Sequence, residues 1–403
     1  MQYTEYELGE LLPFEQPTAY IVKSTDYSDA YATPVLTAGK SFILGKTNET
    51  DGIFDQLPVI IFDDFTTATQ FVNFRFKVKS SAMKILHINT DLVIPKYIFY
   101  RLQIIQFDHS THKRYWIQSY SKIKVLIPPL DEQFRIVARI EEFFSELDKA
   151  VDTLKTTKEQ LVVYRQAILQ QAFIGNSNYH KRKSSISKAE FKPVDAKELV
   201  QLASLPQEWK YVYLSDLGNL SRGKSSHRPR NDPKLFENGV YPFFQTGDVK
   251  GAQKDLYNCE KKYNDVGLTQ SKLWPAGTLC ITIAANIAET CFLGVDGCFP
   301  DSIVGFIPND NLVLKEYIRF FIEASKLKLW AYAPATAQKN INLSTLENLI
   351  VPYCGIEEQQ YIVQKIEEID SVCNKLEQTI DIALAQADAM RQSILKQAFE
   401  EKI

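Results

Sequence analysis

Two stretches of the chain carry apolar residues at alternating steps of three and four positions. A spacing that averages 3.5 residues is typical of the seam of a coiled coil, so the pattern predicts two long helices with matching seams. In the first stretch the seam positions are Ile136, Ile140, Phe143, Leu147, Ala150, Leu154, Thr157, Leu161, Tyr164 and Ile168. In the second they are Ile362, Ile366, Ile369, Cys373, Leu376, Ile380, Ala383, Ala387, Met390 and Ile394. Two seams of this length favour pairing with each other over packing of each helix on its own domain core.

The two stretches are copies of one another. Residues 131–142, "DEQFRIVARIEE", return as "EEQQYIVQKIEE" at 357–368, and "RQAILQQAF" (165–173) returns as "RQSILKQAF" (391–399). Both pairs are 226 positions apart, with no residue gained or lost between them. One inserted residue would rotate the rest of a helix by about 100°, so a constant offset indicates a packed helix.

The segments ahead of the helices correspond more loosely. "YELGELL" (6–12) resembles "VYLSDLG" (212–218), and "TPVLTAGK" (33–40) resembles "YPFFQTGD" (241–248), at offsets of 206 and 208. A drifting offset is expected where loops accept insertions. We therefore predict a first globule at 1–128, a long helix at 129–175, a linker at 176–205, a second globule at 206–353 and a second long helix at 354–403.

Both globules are predicted to be mixed α/β (α+β). Short runs rich in β-branched residues, such as "PVIIFDDF" (58–65) and "TLCITIAAN" (278–286), predict strands, whereas 94–105 and 312–330 predict helices. Parallel helices would put the globules side by side and antiparallel helices would separate them. The linker can span either arrangement, but the antiparallel coiled coil with a pseudo-twofold repeat lets each globule start where the preceding helix stops.

The composition limits the kinds of binding site that the chain can contain. The net charge is −3 at pH 7, so a nucleic-acid site needs a local concentration of positive charge. The six cysteines form no C-x-x-C pair and the histidines do not cluster with them, which disfavours zinc. No apolar run reaches the roughly 20 residues of a membrane helix, and the start shows no signal peptide, so a cytoplasmic protein without a membrane partner is expected.

Basic and amide side chains are concentrated in a few segments that predict DNA contacts. Lys and Arg hold phosphates and read guanine, and Gln and Asn suit adenine. In the second globule, "SRGKSSHRPRND" (221–232), "FQTGD" (244–248) and "ATAQKN" (335–340) supply Arg222, Lys224, Ser225, His227, Arg228, Arg230, Gln245, Thr246, Thr336, Gln338, Lys339 and Asn340. In the first, "HSTHKRYWIQ" (109–118), "KVKSSAMK" (77–84) and "FTTATQ" (65–70) supply His112, Lys113, Arg114, Tyr115, Lys77, Lys79, Thr66 and Thr67. A solvated basic loop or strand face is the alternative for each segment.

Catalytic motifs are missing from the sequence. There is no glycine-rich loop for S-adenosylmethionine, no N-P-P-aromatic or D-P-P-aromatic motif for amino methylation and no P-loop. We expect no active site, no metal and no cofactor in this chain.

The whole chain resembles the specificity subunits of type I restriction–modification systems. The resemblance rests on "LIPPLDEQFRIVARIEE" and "RQAILQQAFIG" with their second copies, on "LPQEWKYVYLSDL", and on "PAGTLCITIAANIAE" and "CFPDSIVGF" in the second globule. It implies a non-catalytic subunit in which each globule recognises half of a split sequence in double-stranded DNA. The helices would set the spacing and dock two methyltransferase subunits, and restriction/translocase subunits would join. S-adenosylmethionine, ATP and Mg²⁺ would belong to those partners.

Three points stay open at this stage. The subunit could belong to a type IIB-like enzyme, in which one partner both methylates and cleaves. A coiled-coil scaffold with two protein-binding heads would also explain the acidic net charge. The second copy reads "VPYCGIEEQ" where the first has "IPPLDEQ", and these extra residues would change how the chain enters the second helix.

Overall fold

A computed structural model describes residues 3–37, 41–107, 114–174, 189–206, 208–331 and 340–400. The chain divides into two compact units. Unit 1 comprises Met1–Thr156 with Ile380–Ile403, and unit 2 comprises Thr157–Thr379. Each unit therefore combines one globule with parts of both long helices. Both units contain strands as well as helices, which confirms the mixed α/β fold.

Unit 1 is built on three small sheets. Its strands are β1 (Thr4–Glu7), β2 (Phe14–Glu15), β3 (Thr33–Leu36), β4 (Ile43–Thr47), β5 (Val59–Asp63), β6 (Thr69–Val72), β7 (Lys77–Val78), β8 (Met83–His87) and β9 (Lys124–Ile127). Its helices are α1 (Leu8–Leu11), α2 (Pro95–Leu102), α3 (Tyr115–Gln118) and the first part of α4 (Leu130–Ile174). The sheet orders are β1-β9, β2-β8-β5-β6 and β4-β3-β7. The central strand β5 is buried along its whole length because both of its faces are covered: Ile60 and Phe62 pack in one apolar cluster, and Val59 and Ile61 pack in another.

Unit 2 has a larger version of the same arrangement. Its strands are β10 (Lys210–Tyr213), β11 (Gly218–Arg222), β12 (Tyr241–Phe243), β13 (Asp255–Leu256), β14 (Lys261–Tyr263), β15 (Leu273–Trp274), β16 (Leu279–Thr282), β17 (Thr290–Leu293), β18 (Gly297–Cys298), β19 (Ile303–Pro308) and β20 (Ile350–Tyr353). Its helices are α5 (Ala196–Leu199), α6 (Thr246–Gly251), α7 (Asp265–Thr269), α8 (Lys315–Ala324), α9 (Lys326–Ala331), α10 (Leu343–Glu347) and the first part of α11 (Ile356–Phe399). The sheets are β10-β20, β11-β19-β16-β17-β13 and β14-β12-β18-β15.

A two-stranded ribbon leads into each long helix. The pairing of Glu7 with Lys124 in unit 1 corresponds to the pairing of Tyr213 with Ile350 in unit 2. The second ribbon strands are thus 226 positions apart, like the helices. The extra residues of the second copy lie ahead of β20, and the expectation of an altered start for the second helix is wrong.

The repeated Glu-Gln motif has a structural reason. Gln133 is fully buried, accepts a hydrogen bond from the Ile94 amide (2.8 Å) and donates to the carbonyls of Leu92 (3.0 Å) and Pro128 (2.9 Å). These three backbone groups lie outside the helices and strands of unit 1, so no sheet ladder satisfies them. The amide side chain of Gln133 does so instead.

Gln359 repeats this arrangement in unit 2. It accepts from the Leu314 amide (2.9 Å) and donates to the carbonyls of Leu312 (3.0 Å) and Cys354 (2.8 Å). Cys354 supplies the carbonyl that Pro128 supplies in unit 1. In each unit, one glutamine therefore joins the first turn of the long helix to the segment that starts α2 or α8.

The long helices pair antiparallel. They contain 45 and 44 residues, or about 66 Å each. In unit 2, Arg165 pairs with Asp370, and Lys158 lies 3.8 Å from Glu377, so numbers rise along one helix as they fall along the other. In unit 1, Arg391 pairs with Asp148. The predicted antiparallel coiled coil is confirmed.

Most of the twenty predicted seam positions are covered. Seven are buried: Ile136, Ile140, Ile362, Ile366, Cys373, Ile380 and Ala387. Eight more are half-buried: Phe143, Leu147, Leu154, Leu161, Ile168, Ile369, Ala383 and Ile394.

At some of the other predicted positions, the residue that faces the partner helix is the next one along the chain. Leu376 and Met390 are about half exposed, whereas the next residues along the chain, Glu377 and Arg391, are half-buried and ion-paired. Tyr164 is likewise exposed beside half-buried Arg165. Phe143 and Ile369 stay half-buried at the edge of the seam. At Tyr164, Leu376 and Met390 the apolar side chain therefore indicated the wrong seam residue, because salt bridges of the following residues replace apolar contacts between the helices.

The end of each helix packs on a globule. Phe173, near the end of α4, contacts the rings of Tyr317 (5.0 Å between centroids) and Phe321 (5.4 Å) in unit 2. Phe399, near the end of α11, contacts Tyr97 of unit 1 at 5.3 Å. This cross-over contact explains why "RQAILQQAF" recurs as "RQSILKQAF" together with the helix starts.

Part of the expected linker is folded. Phe191 lies 5.0 Å from the ring of Tyr353, and the Tyr211 hydroxyl donates to the carbonyl of Ala203 (2.8 Å). Residues 189–206 therefore cover the β10-β20 ribbon. No described helix combines the length and the hydropathy needed to cross a bilayer.

Candidate nucleic-acid interface

A group of positively charged side chains lies at one edge of unit 2, where β11 ends. The chain turns at Gly223, whose position directly above the 299–300 backbone leaves no room for a side chain: a Cβ would lie 2.3 Å from the Phe299 carbonyl oxygen. This close crossing brings Arg222 onto Asp301, and its Nε donates to the Asp301 carbonyl at 2.9 Å. A glycine at this point is thus what allows segments about 80 residues apart in the chain to share one surface.

Arg230 lies on the other side of the same aspartate. Its Nη2 donates to both carboxylate oxygens of Asp301, at 2.8 and 3.0 Å. A cavity of about 230 Å³ opens beside this pair. Its polar lining consists of Arg230, Asn231, Gln245, Thr246, Lys261 and Ser302. Residues from four separate segments thus present hydrogen-bonding groups to one opening.

The remainder of the 221–232 segment is held by internal bonds. The ring of His227 lies 2.9 Å from Asp232, which lowers the pKa of that carboxyl group. Arg228 donates to the carbonyls of Ser225 (2.7 Å) and His227 (2.8 Å). The segment is therefore an ordered loop and not a free basic tail.

Lys272 extends the positive surface. Its amine donates to the Ser221 hydroxyl at 2.8 Å and lies 3.6 Å from the centre of the Trp274 ring. Sequence analysis missed Lys272 and Asp301, because each is isolated among apolar or neutral neighbours in the chain. It also missed Lys261, which lies beside Glu260 and Lys262 in a short segment of mixed charge. The segment "CFPDSIVGF" was noticed only as part of the family resemblance.

In unit 1 a tight turn is joined to the start of α3. Asp63 accepts bonds from the Phe65 amide (2.9 Å) and the Thr66 hydroxyl (2.8 Å), which hold Thr67 at a φ of 58°. The next residue, Asp64, accepts from the amides of Tyr115 (3.0 Å) and Trp116 (2.8 Å). The exposed Thr66 and Arg114, which come from separate candidate segments, are brought to one region by these bonds.

Comparisons with known proteins agree with this architecture. Residues 206–386 match the model of the type I restriction modification DNA specificity domain. The chain is 31% identical to the specificity subunit of the type I restriction enzyme EcoR124I/EcoR124II of Escherichia coli, over 92% of this chain and 87% of that protein. It is 22% identical to the MjaVIII specificity subunit of Methanocaldococcus jannaschii, over 86% of this chain and 80% of that protein.

The chain belongs to the family of type I restriction enzyme specificity subunits.

Solved structures share the fold. A chain from a study of complex assembly and conformational transition of the type I R-M system has a TM-score of 0.70 and 17% identity, covering 100% of this chain and 98% of its own. The HsdS subunit of Thermoanaerobacter tengcongensis has a TM-score of 0.56 and 17% identity, covering 100% and 97%. As a specificity subunit, the protein is the non-catalytic, DNA-selecting member of a larger restriction enzyme.

Three candidate contacts of this specificity subunit are contradicted by burial. Lys77 is 2% exposed, pairs with Glu49 at 2.9 Å and donates to the Asp51 carbonyl at 2.5 Å. Tyr115 is buried in the core, and Ser225 is buried with its hydroxyl 3.3 Å from that of Tyr263. For Lys77 both the predicted DNA contact and its alternative, a solvated strand face, are wrong, because the amine points inward to the Glu49 carboxylate.

The remaining candidates stay predictions. Arg222, Lys224, Arg228, Arg230, Gln245, Arg114 and Thr66 are exposed, and His227, Thr246, Thr67 and Lys79 are half-exposed. Asn340 is exposed and forms an isolated bridge with Ala284. His112, Lys113, Thr336, Gln338 and Lys339 lie outside the described residues. Within the described parts of the chain, no group of acidic, histidine and cysteine side chains is arranged to hold a metal ion.

Proposed function

We propose that this specificity subunit directs a type I restriction–modification enzyme to a two-part, asymmetric DNA sequence, with each globule reading one half. The observation that carries the proposal is the repeat itself: two unequal globules stand on helices that begin with the same glutamine contacts and pair antiparallel. A duplex offers the matching target because half-site spacing mirrors the symmetry of the protein that reads it.

The surface of unit 2 around Arg222, Arg230 and Lys272 supports DNA binding. Its cations can neutralise phosphates, and the amides of Asn231 and Gln245 offer donors and acceptors to base edges. A local positive surface of this kind reconciles DNA binding with the net charge of −3. In unit 1 we assign the corresponding role to Arg114 with Thr66 and Thr67.

Exposed apolar residues on the helices support docking of two methyltransferase subunits. Val162, Val163 and Tyr164 on α4, and Val372 and Leu376 on α11, are between 48% and 70% exposed. Apolar groups outside the seam are expected where further helices cover them. We propose that Val162→Glu with Val163→Glu prevents the methyltransferase from co-purifying, whereas Lys155→Glu on the same helix does not.

The remaining parts of the enzyme follow from this assignment. We propose that restriction/translocase subunits join the complex, and that S-adenosylmethionine, ATP and Mg²⁺ act in the partner subunits. Because its target is cellular and invading DNA, the complex would work in the cytoplasm.

The test is the modified-base pattern of DNA from cells that produce this chain with its methyltransferase. A single bipartite motif with a fixed non-specific spacer is expected. A contiguous motif, or no modification, would overturn the proposal. Binding of the purified complex to that motif should also weaken steeply with salt, because released counterions drive phosphate contacts.

A further inference from the structure

The Arg230–Asp301 pair lies at the exposed edge of unit 2. Its partners come from the loop after β11 and from the segment before β19. Both side chains remain accessible, with 47% and 44% of their surface exposed. Among the described residues, the Arg230 side chain makes no other hydrogen bond to protein, so Nε and Nη1 are available to a ligand.

The backbone around Asp301 is pinned before any ligand arrives. The Gly223 amide donates to the Ile303 carbonyl (2.8 Å) and the Lys224 amide to the Phe299 carbonyl (3.0 Å). Arg222 adds the bond to the Asp301 carbonyl at 2.9 Å. Because the backbone that carries Asp301 is fixed by these bonds, its carboxylate orients Arg230 in advance, which is how precise recognition sites are supported.

The pair is poorly suited to a phosphate. A carboxylate in contact with the guanidinium cancels much of its positive charge and repels a second anion. The edge of a base is uncharged and does not meet this repulsion. Arg222 and Lys272 donate to a carbonyl and a hydroxyl, which carry no charge, and they remain the phosphate-binding cations of this surface.

The donors and acceptors of the pair complement one kind of base pair. In the major groove, guanine presents the acceptors N7 and O6, and the paired cytosine presents the N4 amino donor beside them. Arginine donors match the guanine acceptors, and a carboxylate can accept from the cytosine amino group. An A·T pair in the same orientation would set the adenine amino group against the guanidinium and the thymine O4 against the carboxylate.

We propose that Arg230 and Asp301 together read one G·C base pair in the half-site of the second globule. This inference rests on the proposed function. Arg230 is the contacting residue for guanine, and Asp301 both orients it and accepts from cytosine.

The experiment uses the complex of this chain with its methyltransferase. Dissociation constants are measured for the wild-type motif and for every single base-pair change in both half-sites. Arg230→Ala should reduce discrimination at one G·C position by about 5- to 150-fold, while preferences at the other positions persist. Asp301→Asn keeps the shape but removes the charge, and it should relax the same position, chiefly against A·T. Arg230→Lys should not restore discrimination, because lysine lacks the planar fork.

Lys254→Ala is the matched control. Lys254 pairs with Glu367 at 2.9 Å in the same unit, with nearly identical exposure of 47% and 46%. It should leave every base preference unchanged. Thermal unfolding of each variant verifies that the substitutions at Arg230, Asp301 and Lys254 leave the fold intact.

Several results would overturn the inference. The first is that Arg230→Ala loses affinity equally for all sequences. The second is that Arg230→Ala and Asp301→Asn relax the preference at different positions of the motif. The third is that neither variant changes the preference at any G·C position of the half-sites. A failure of the proposed function would give a different result, because the wild-type complex itself would then modify no bipartite site.

Discussion

At the scale of single residues, the repeated glutamine is the clearest link between sequence and structure. Gln133 and Gln359 each satisfy one amide and two carbonyls, and both are fully buried. The same side chain recurs because the same three backbone groups must be satisfied where each long helix starts. Sequence comparison detected the recurrence, and only the contacts explain it.

Replacement of this glutamine should be costly. Gln359→Ala leaves the Leu314 amide and two carbonyls without their partner in a buried site, and we expect a loss of about 2–4 kcal/mol in the free energy of unfolding. Urea unfolding measures it. Gln364→Ala, on the exposed face of the same helix, should change stability by less than about 0.5 kcal/mol. Equal losses of stability in the two variants would contradict the role of the Gln359 hydrogen bonds at the start of the helix.

The buried Lys77 predicts a dependence on pH. Glu49 accepts from the Ser24 and Lys23 amides and from Lys77, and these bonds lower its pKa from 4.5 to about 2. A lowered pKa in the folded state means that the stabilisation is present above pH 4.5 and is lost as the pH falls towards 2. Thermal unfolding of Glu49→Gln should therefore show a flatter pH dependence than wild type in this range. Asp29→Asn, at an exposed position of the same unit, should keep the wild-type slope.

At the scale of elements, the seam between the helices is part apolar and part ionic. Cys373, Ile380 and Ala387 are nearly inaccessible, whereas half-buried Glu377 lies between the first two and half-buried Arg391 lies one turn after the last. Polar groups in a coiled coil reduce stability but specify register and orientation. The antiparallel pairing here brings opposite charges together, such as Arg165 with Asp370 and Arg391 with Asp148.

Charge reversal tests this role. Arg165 contacts Asp370, Asn374 and Glu377, so Arg165→Glu places three negative charges together and should lower the melting temperature by several degrees. Arg165→Glu combined with Asp370→Arg should recover a substantial part of the loss. Lys155→Glu serves as the exposed control. Absence of recovery in the double variant would show that the pair does not act as a unit.

At the scale of the whole molecule, each compact unit uses both helices. Unit 1 takes the start of α4 and the end of α11, and unit 2 takes the end of α4 and the start of α11. Aromatic residues complete this exchange, because Phe173 packs on α8 and Phe399 packs on α2. Each long helix therefore contributes side chains to the apolar cores of both units.

The helices should act as the spacer of the recognition site. One heptad inserted after Thr156 and one after Thr379 lengthens both helices by about 10 Å and preserves their pairing. We expect the non-specific gap of the modified motif to grow by up to about three base pairs, with both half-sites unchanged. Methylome sequencing measures the gap. The same insertion in one helix alone should abolish modification, and an unchanged gap in the double insertion would contradict the spacer role.

The sequence by itself determined the order of globules and helices, the helical repeat and the family. These features follow from local periodicity and from an offset of 226 that packed helices conserve. Two of the candidate DNA segments, "SRGKSSHRPRND" and "FQTGD", line one cavity, and their contact with DNA stays a prediction. Periodicity could not decide which alternate seam positions face the partner, because charged residues are acceptable there once they are paired.

Only the tertiary structure decided which charges are accessible and which residues meet. Lys77 and Arg230 are both cations in polar segments, yet one is buried on Glu49 and the other lies exposed on Asp301. That difference depends on strand pairing and on a close crossing at Gly223, which join residues far apart in the chain. Local sequence carries no signal for such contacts, because burial is set by what packs on a side chain from elsewhere in the fold.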